Sequence, residues 1–378
     1  MPTPDWSRVV NTTIHDFIRE EEVNILRNRK LLALLQSKGR ISMKHSGDFM
    51  DWKIRYKRAP MQGYADSDTL TFSRRDRWKT AQLDWRGYAA TDSMTKMERE
   101  KNKDTEAIIK VYSQIGQSLM DDMQDQFGDE MYVDGNASGN SKKIHGLESW
   151  FSTSAAGTKY PIGRPSDTYA GLVCTLGNYG GTWTTTGTTT TDTDWPTGTG
   201  DAHYDFWSPL IVDYTSGIST SSSAGTVGWA ASTKTWPNTC REAIRFGVIK
   251  GRKNKSRKGM LDLVLLNDEL FRLFEDKIEA GERVIVHRGD KKGGMYSLGF
   301  EDVINYEGVD ITYEYGLGTN VGYGISTDYL ELKSLQDSLF VPEGPDFDIA
   351  SQSYRFSIDF MGNLEANPRY MVKWLNVT

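Results

Sequence analysis

The stretch that decides the fold is Met50–Lys57, MDWKIRYK. Apolar Met50, Trp52, Ile54 and Tyr56 alternate with charged Asp51, Lys53, Arg55 and Lys57. That period of two is the signature of a half-buried β-strand. Ala59-Pro60 halts the run, and a polar segment with Gly63, Asp66, Ser67 and Asp68 leads to the basic run SRRDR. A second alternating run follows, KTAQLDWRGYAA, with Ala81, Leu83 and Trp85 on one face and Gln82, Asp84 and Arg86 on the other. The pattern predicts a long two-stranded excursion within 46–92. Such a hairpin is marginal alone in water. Its apolar face therefore rests either on its own chain or on another molecule.

Working outward, residues 1–45 read as an N-terminal arm. Within it, Asp16 to Lys38 predicts a helix with Phe17, Val23, Leu26, Leu31, Leu34 and Leu35 on one side, closed by Gly39. After the excursion, Thr95 and Glu98 have the spacing of a capping box. Ile108, Tyr112, Ile115, Leu119, Met123, Phe127 and Met131 then recur at intervals of three and four residues, one stripe on one helical face. A continuous helix from Thr95 to Tyr132 would run ~55 Å. The stripe fits a long core helix, or a soft methionine-bearing contact face.

DGNASGN (134–140) supplies turn residues, and 151–235 changes composition. Its Thr/Ser/Gly tracts carry Trp183, Trp195, Phe206, Trp207 and Trp229, with Trp236 just beyond. We read 181–235 as a loop-rich, partly β insertion at the surface. From 236 the pattern is mixed: a helix over Asn238–Ile249, a doubly buried strand in LDLVLLN (261–267), a helix capped by Asp268, and a short strand at Val284–Val286. A hairpin turning at Glu307-Gly308 spans Val303–Tyr315. Tyr354, Phe356, Ile358 and Phe360 alternate as a strand, Gly362-Asn363 reads as a turn, and RYMVKWLNV closes as a final strand. The expected class is α+β.

Composition narrows the function. With 378 residues, 11 Trp, 18 Tyr and 14 Phe, the chain can bury a large core and offers much interface-forming surface. A net charge of −6 argues against a general nucleic-acid binder. Cys174 and Cys240 are too few and too far apart for a disulfide framework and read as reduced and buried. The start lacks a basic region followed by an apolar one, so no signal peptide is expected, and no run is apolar enough to span a membrane.

Motifs of chemistry are missing. His15, His45, His145, His203 and His287 are isolated, and no HExxH, CxxC, GxGxxG, GxxxxGK[ST] or GxSxG is present. No carboxylate pair lies on an apolar background as acid–base catalysis requires. The expectation is no enzyme, no metal and no cofactor. Lys250, Arg252, Lys253, Lys255, Arg257 and Lys258 form the densest basic cluster. It is either a phosphate-contacting patch or, as we favour, an exposed loop before a buried strand.

Several runs look like one family: LLALLQSKGRI, LDWRGYAATDSMTKMEREKN, LDLVLLNDELFRLF and GNLEANPRYMVKWL. With the order of elements, the chain resembles the tailed-bacteriophage major capsid protein, whose Hong Kong-type fold encapsulin shells share. The resemblance is loosest over 150–235. It implies an N-terminal arm (1–45), an extended loop (46–92), a peripheral domain with a spine helix (93–150), the insertion and connection (151–235), an axial domain with part of the peripheral sheet (236–345), and peripheral strands (346–378).

The resemblance further implies pentamers and hexamers forming an icosahedral head around double-stranded DNA, without sequence-specific binding. Partners would be other copies, a separate scaffolding protein, a portal and a cement protein, in a virion assembled in the host cytoplasm. No membrane is involved and no covalent cross-link is expected. Trp52, Ile54, Tyr56, Leu83 and Trp85 would be covered by the adjacent subunit, with Lys53, Arg55 and Lys57 setting register. Rival readings are an encapsulin-like compartment, a carbohydrate-binding appendage using the tryptophan-bearing insertion, and a nucleic-acid binder using 250–258.

Overall fold

The computed structural model describes residues 29–56, 61–72, 77–101, 105–156, 162–165, 167–174, 207–215, 235–252, 261–279 and 302–376. Helix α1 (Lys30–Ser37) is the described end of the expected arm helix. Gly39 closes it with φ of 63°. Arg40 N–H donates to the Leu35 carbonyl at 2.8 Å and Gly39 N–H to that of Gln36 at 3.1 Å, the double bond of a Schellman cap. β1 (Ile41–Ser42) follows.

β2 (Phe49–Arg55) and β3 (Trp78–Asp84) form a two-stranded ribbon in which Met50 faces Leu83 and Trp52 faces Ala81. The returning run does not continue in that ribbon. At Trp85 the chain switches sheets, and β4 (Arg86–Thr95) pairs over ten residues with a different strand.

The capping box is formed: Thr95 N–H donates to Glu98 Oε2 at 3.0 Å, and Glu98 N–H to Thr95 Oγ1 at 3.3 Å. It starts α2 (Lys96–Lys101). After the undescribed residues 102–104 comes α3 (Thr105–Glu130), ~39 Å long. The described residues on both sides of that gap are helical.

α4 (Glu148–Phe151), β5 (Thr153–Ala156), β6 (Ile162–Pro165), β7 (Thr168–Tyr169), β8 (Leu172–Val173) and β9 (Leu210–Asp213) follow. β9 fits the partly β reading of 181–235 but corrects its surface placement at 207–214. Trp207 to Tyr214 is wholly buried, and β9 lies inside a sheet between β6 and β17. Trp183, Trp195, Phe206 and Trp229 lie outside the described residues, as does Val284–Val286.

α5 (Trp236–Gly251), β10 (Leu263–Leu266) and α6 (Asp268–Glu279) come next. Asn267, not Asp268, caps α6: its Oδ1 accepts from Glu269 N–H at 3.1 Å. β11 (Ile304–Tyr306) and β12 (Val309–Tyr313) form the expected hairpin, with both turn residues at positive φ.

β13 (Val321–Ile325), β14 (Leu330–Ser334), β15 (Val341–Asp348), β16 (Ser353–Ala366) and β17 (Val372–Leu375) complete the chain. β16 runs straight through Gly362-Asn363, so the expected turn there is absent. The glycine serves a different need. A Cβ at 362 would collide with the Lys333 carbonyl of the neighbouring strand.

Two sheets result. A five-stranded one runs β1-β14-β16-β15, with β4 on the other side of β16. An eight-stranded mixed one runs β11-β12-β10-β13-β17-β9-β6-β5. α5 docks on the latter through Trp374, whose indole N–H donates to the Ala243 carbonyl at 2.9 Å. Gly247 lets the helix approach, since a methyl there would strike the Trp374 ring. β10 is buried at every residue, as its apolar run requires.

Candidate interaction surface

The ribbon is where sequence and structure disagree most usefully. Its inner face is covered by its own chain. Met50, Ile54, Ala81 and Leu83 are buried in the main core. Trp52 lies 6.2 Å from the ring of Tyr169 and 6.3 Å from that of Trp207. Gln82 N–H donates to the Ala170 carbonyl at 3.0 Å. Trp85, half-buried, stacks on His45 and donates its indole N–H to the Gly47 carbonyl at 2.9 Å. The expectation that a neighbouring subunit covers Trp52, Ile54, Leu83 and Trp85 is therefore corrected. Trp52 rests in cis on Tyr169 and Trp207, far along the chain, where no local pattern could announce them, and Trp85 on His45.

The seat is held by groups that sequence reasoning missed. Asn363, fully buried within β16, accepts from the backbone N–H groups of His145 at 3.0 Å and Leu364 at 2.8 Å. Its Nδ2 donates to the Asp84 carbonyl at 2.8 Å, so one side chain ties ribbon, loop and sheet together. Tyr169 adds a second pin, donating to the Leu364 carbonyl at 2.6 Å. An amide in an alternating apolar run was the available signal; paired with glycine it reads as a turn instead.

His145, beside Asn363, is buried and its Nδ1 has no hydrogen-bond partner among the described residues. Burial, then the nearby Arg86 cation, pushes its pKa down to about 4.

Beyond the seat the picture inverts. Every described residue from Met61 to Phe72 is exposed, with Met61 at 98% and Phe72 at 90%. This segment is nonetheless shaped. The Gln62 side chain donates to the Thr71 carbonyl at 2.8 Å and accepts from Thr71 N–H at 2.9 Å, and Ala65 and Asp68 close a turn. The ribbon's outer face carries Phe49, Asp51, Lys53 and Arg55, with Trp78 on the Arg55 rung. Tyr56 is half-buried with Lys79 Nζ 5.4 Å from its ring, while Lys57 lies outside the described residues.

The stripe of α3 packs inward on its own chain. Ile115, Leu119, Met123 and Phe127 are buried. Phe127 meets Phe360 at 4.5 Å and Tyr112 meets Phe356 at 5.5 Å. Of the two readings of that stripe, the core helix is the one these contacts describe; the side chain of Ile108 lies outside the described residues.

The start of α1 is clipped beneath it. Arg29 bonds Asp125 at 2.6 Å and Asp129 at 2.7 Å. Nearby Glu314 is buried and accepts from Leu31 N–H at 3.2 Å. Burial pushes its pKa up to about 8, against the pull of that bond and of Arg29 and Lys30.

Of the basic cluster, Lys250 sits 5.8 Å from the Phe246 ring and Arg252 donates to the Gly308 carbonyl at 3.2 Å. Lys253, Lys255, Arg257 and Lys258 lie outside the described residues. Both cysteines are buried and unpaired, and burial pushes their thiols up, Cys240 to about 11. They are poor nucleophiles in that state. Among the described residues no group of three or more His, Cys, Asp or Glu could hold a metal. No helix there is long and apolar enough to cross a membrane.

Nearly all of the chain aligns with solved capsids. The capsid asymmetric unit of cyanophage A-1(L) covers 97% of this chain and 95% of its own, with a TM-score of 0.50 and 15% identity. The chain has a capsid-protein fold. The capsid of a native GTA particle agrees, covering 97% of this chain and 93% of its own at a TM-score of 0.51 and 8% identity. Comparison with family models and with curated proteins finds no match. The resemblance read from four short runs therefore holds at the level of the fold.

Proposed function

We propose that the chain is a major capsid protein. Copies join into pentamers and hexamers that close an icosahedral head around double-stranded DNA. The observation that carries this reading is the end-to-end match of fold, 97% of this chain against nearly the whole of a capsid subunit. The outer ribbon supports it in its own terms. A shaped segment whose described residues are all exposed carries Met61, Tyr64, Leu70 and Phe72 as apolar side chains uncovered among the described residues. One such heterologous contact repeated by rotation closes a ring, and a second joins rings into a shell.

The residues bearing the contact are then the exposed ones: Lys53, Arg55 and Trp78 on the outer face, and Met61 to Phe72 beyond it. α3 is the spine of the peripheral lobe. DNA would be enclosed rather than gripped, in keeping with the acidic balance of the chain. A separate scaffolding protein, a portal and a cement protein are the partners such a shell would need. The protein would reside in the virion after assembly in the host cytoplasm.

Negative-stain microscopy of the expressed full chain, with sedimentation velocity alongside, tests the reading. Closed shells or capsomer rings are expected. A monodisperse monomer at all concentrations, with or without co-expressed partners, overturns it. A denaturing gel of assembled particles is expected to show single chains only, without a ladder of cross-linked multimers.

A further inference from the structure

We infer that the receptor for the ribbon's outer face is an acidic ledge on β15 of a second copy of this chain. The inference rests on the capsid reading and names the surface that reading leaves open. β15 lies at an edge of the five-stranded sheet, and its described residues from Pro342 to Phe347 are all exposed. In its register with β16, Glu343 stands opposite Ser357 and Asp346 opposite Arg355, with an irregularity between them. Residues three apart on a regular strand face opposite sides. The inserted residue turns both carboxylates to the Ser357–Arg355 side.

They stand two rungs apart, ~7 Å. Arg355, the cation on that face, is ion-paired to Asp348. Glu343 and Asp346 hold no ion pair or side-chain hydrogen bond among the described residues. The column beyond β16 is built of small side chains, Ala89, Thr91 and Ser93, so nothing bulky walls the ledge in. Pro342 and Pro345 remove two amide donors from the edge. A further strand cannot extend the sheet there, and contact must be made face-on by side chains.

The ribbon presents the complement. Lys53 and Arg55 lie on its exposed face two residues apart, again ~7 Å. Trp78, on the Arg55 rung, is 56% exposed. Lys53 would seat on Glu343 and Arg55 on Asp346, with Trp78 beside Arg55 at one end of the contact. Matching spacing and opposite charge come from one chain. A second copy is therefore the occupant. Tryptophan and arginine at the centre of a contact are also what strong interfaces favour.

Charge exchange tests the pairing, read by light scattering and sedimentation of the full chain. Glu343→Lys with Asp346→Lys should abolish assembly, as should Lys53→Glu with Arg55→Glu. All four together should restore it. The milder Glu343→Gln with Asp346→Asn changes no exposed surface shape, and should raise the concentration needed for assembly ~10-fold or more while weakening its salt dependence. Should a reversed chain fail to fold, this neutral pair decides. Assembly of the neutral variant at the wild-type threshold overturns the inference. So does loss on ledge reversal that ribbon reversal does not rescue, which would assign the ledge to a foreign cationic partner. In both cases wild-type particles still form, whereas their absence would strike the capsid reading itself.

Discussion

The two ends of the ribbon obey different rules. At the seat, Met50, Ile54, Ala81 and Leu83 are buried and the side chain of Asn363 ties ribbon, loop and sheet together. Past Tyr56, no described residue up to Phe72 is even half-buried. The β2–β3 ribbon is thus an integral part of the core on its inner face, while the described segment between its strands, 61–72, is open surface. The lesson is that an amphipathic strand pair announces a cover but not whose. The inner face is covered in cis; the outer face and the described segment past Tyr56 are what remain exposed for another copy.

The largest effect that sharpens this contrast is at the seat. Leu83→Ala should cost about 2–5 kcal/mol of monomer stability, read by chemical denaturation below the assembly concentration, because the cavity opens inside a packed core. A cost under ~0.5 kcal/mol would return the inner face to the neighbouring subunit. Asn363→Ala should cost about 1–3 kcal/mol, since it strands the His145 and Leu364 amides in a buried site. Protease access within 61–72 should rise with it, because the Asp84 end of the ribbon loses its tie.

Acidity separates the seat from a distant buried site. His145, held down at about 4 by burial, stays neutral while the unfolded chain takes up a proton near 6.5. Its contribution to stability is present above pH 6.5 and is lost as pH falls toward 4. Glu314, pushed up to about 8, has the opposite sign: its stability is full below about 4.5 and is lost as pH rises through 8. Wild type should therefore vary little between pH 6.5 and 4.5, where the two trends oppose each other. His145→Gln should leave stability rising as pH falls through that window, and Glu314→Gln should leave it falling. Identical pH profiles for the two variants would refute the assignment.

How much of this was legible follows the same division of local from distant. Alternation in Met50–Tyr56, the Thr95–Glu98 box, the Gly39 cap and the Glu307-Gly308 turn are written within a few residues, and each is formed. What could not be read depends on partners far along the chain. Gly362-Asn363 looks like a turn until Lys333 is laid against the glycine and Asp84 against the amide. Trp207 sits amid Thr- and Gly-rich tracts that suggest surface, yet β9 is central because β17 and β6 flank it. The acidic ledge was invisible for the same reason: Glu343 and Asp346 share a face only through their register with β16.

The smallest expected effect is the one that isolates the outer end. Phe72→Ala removes a ring that touches nothing able to bury it, at 90% exposure, so the monomer should lose no more than ~0.5 kcal/mol. The same change should raise the concentration at which particles form, since an exposed aromatic gains its burial only on association. A ratio is the sharpest reading. Leu83→Ala should move the melting temperature well before it moves the assembly threshold measured on folded chains, and Phe72→Ala should do the reverse. If both variants shift both quantities together, the ribbon is a single cooperative unit and the boundary drawn at Tyr56 does not exist.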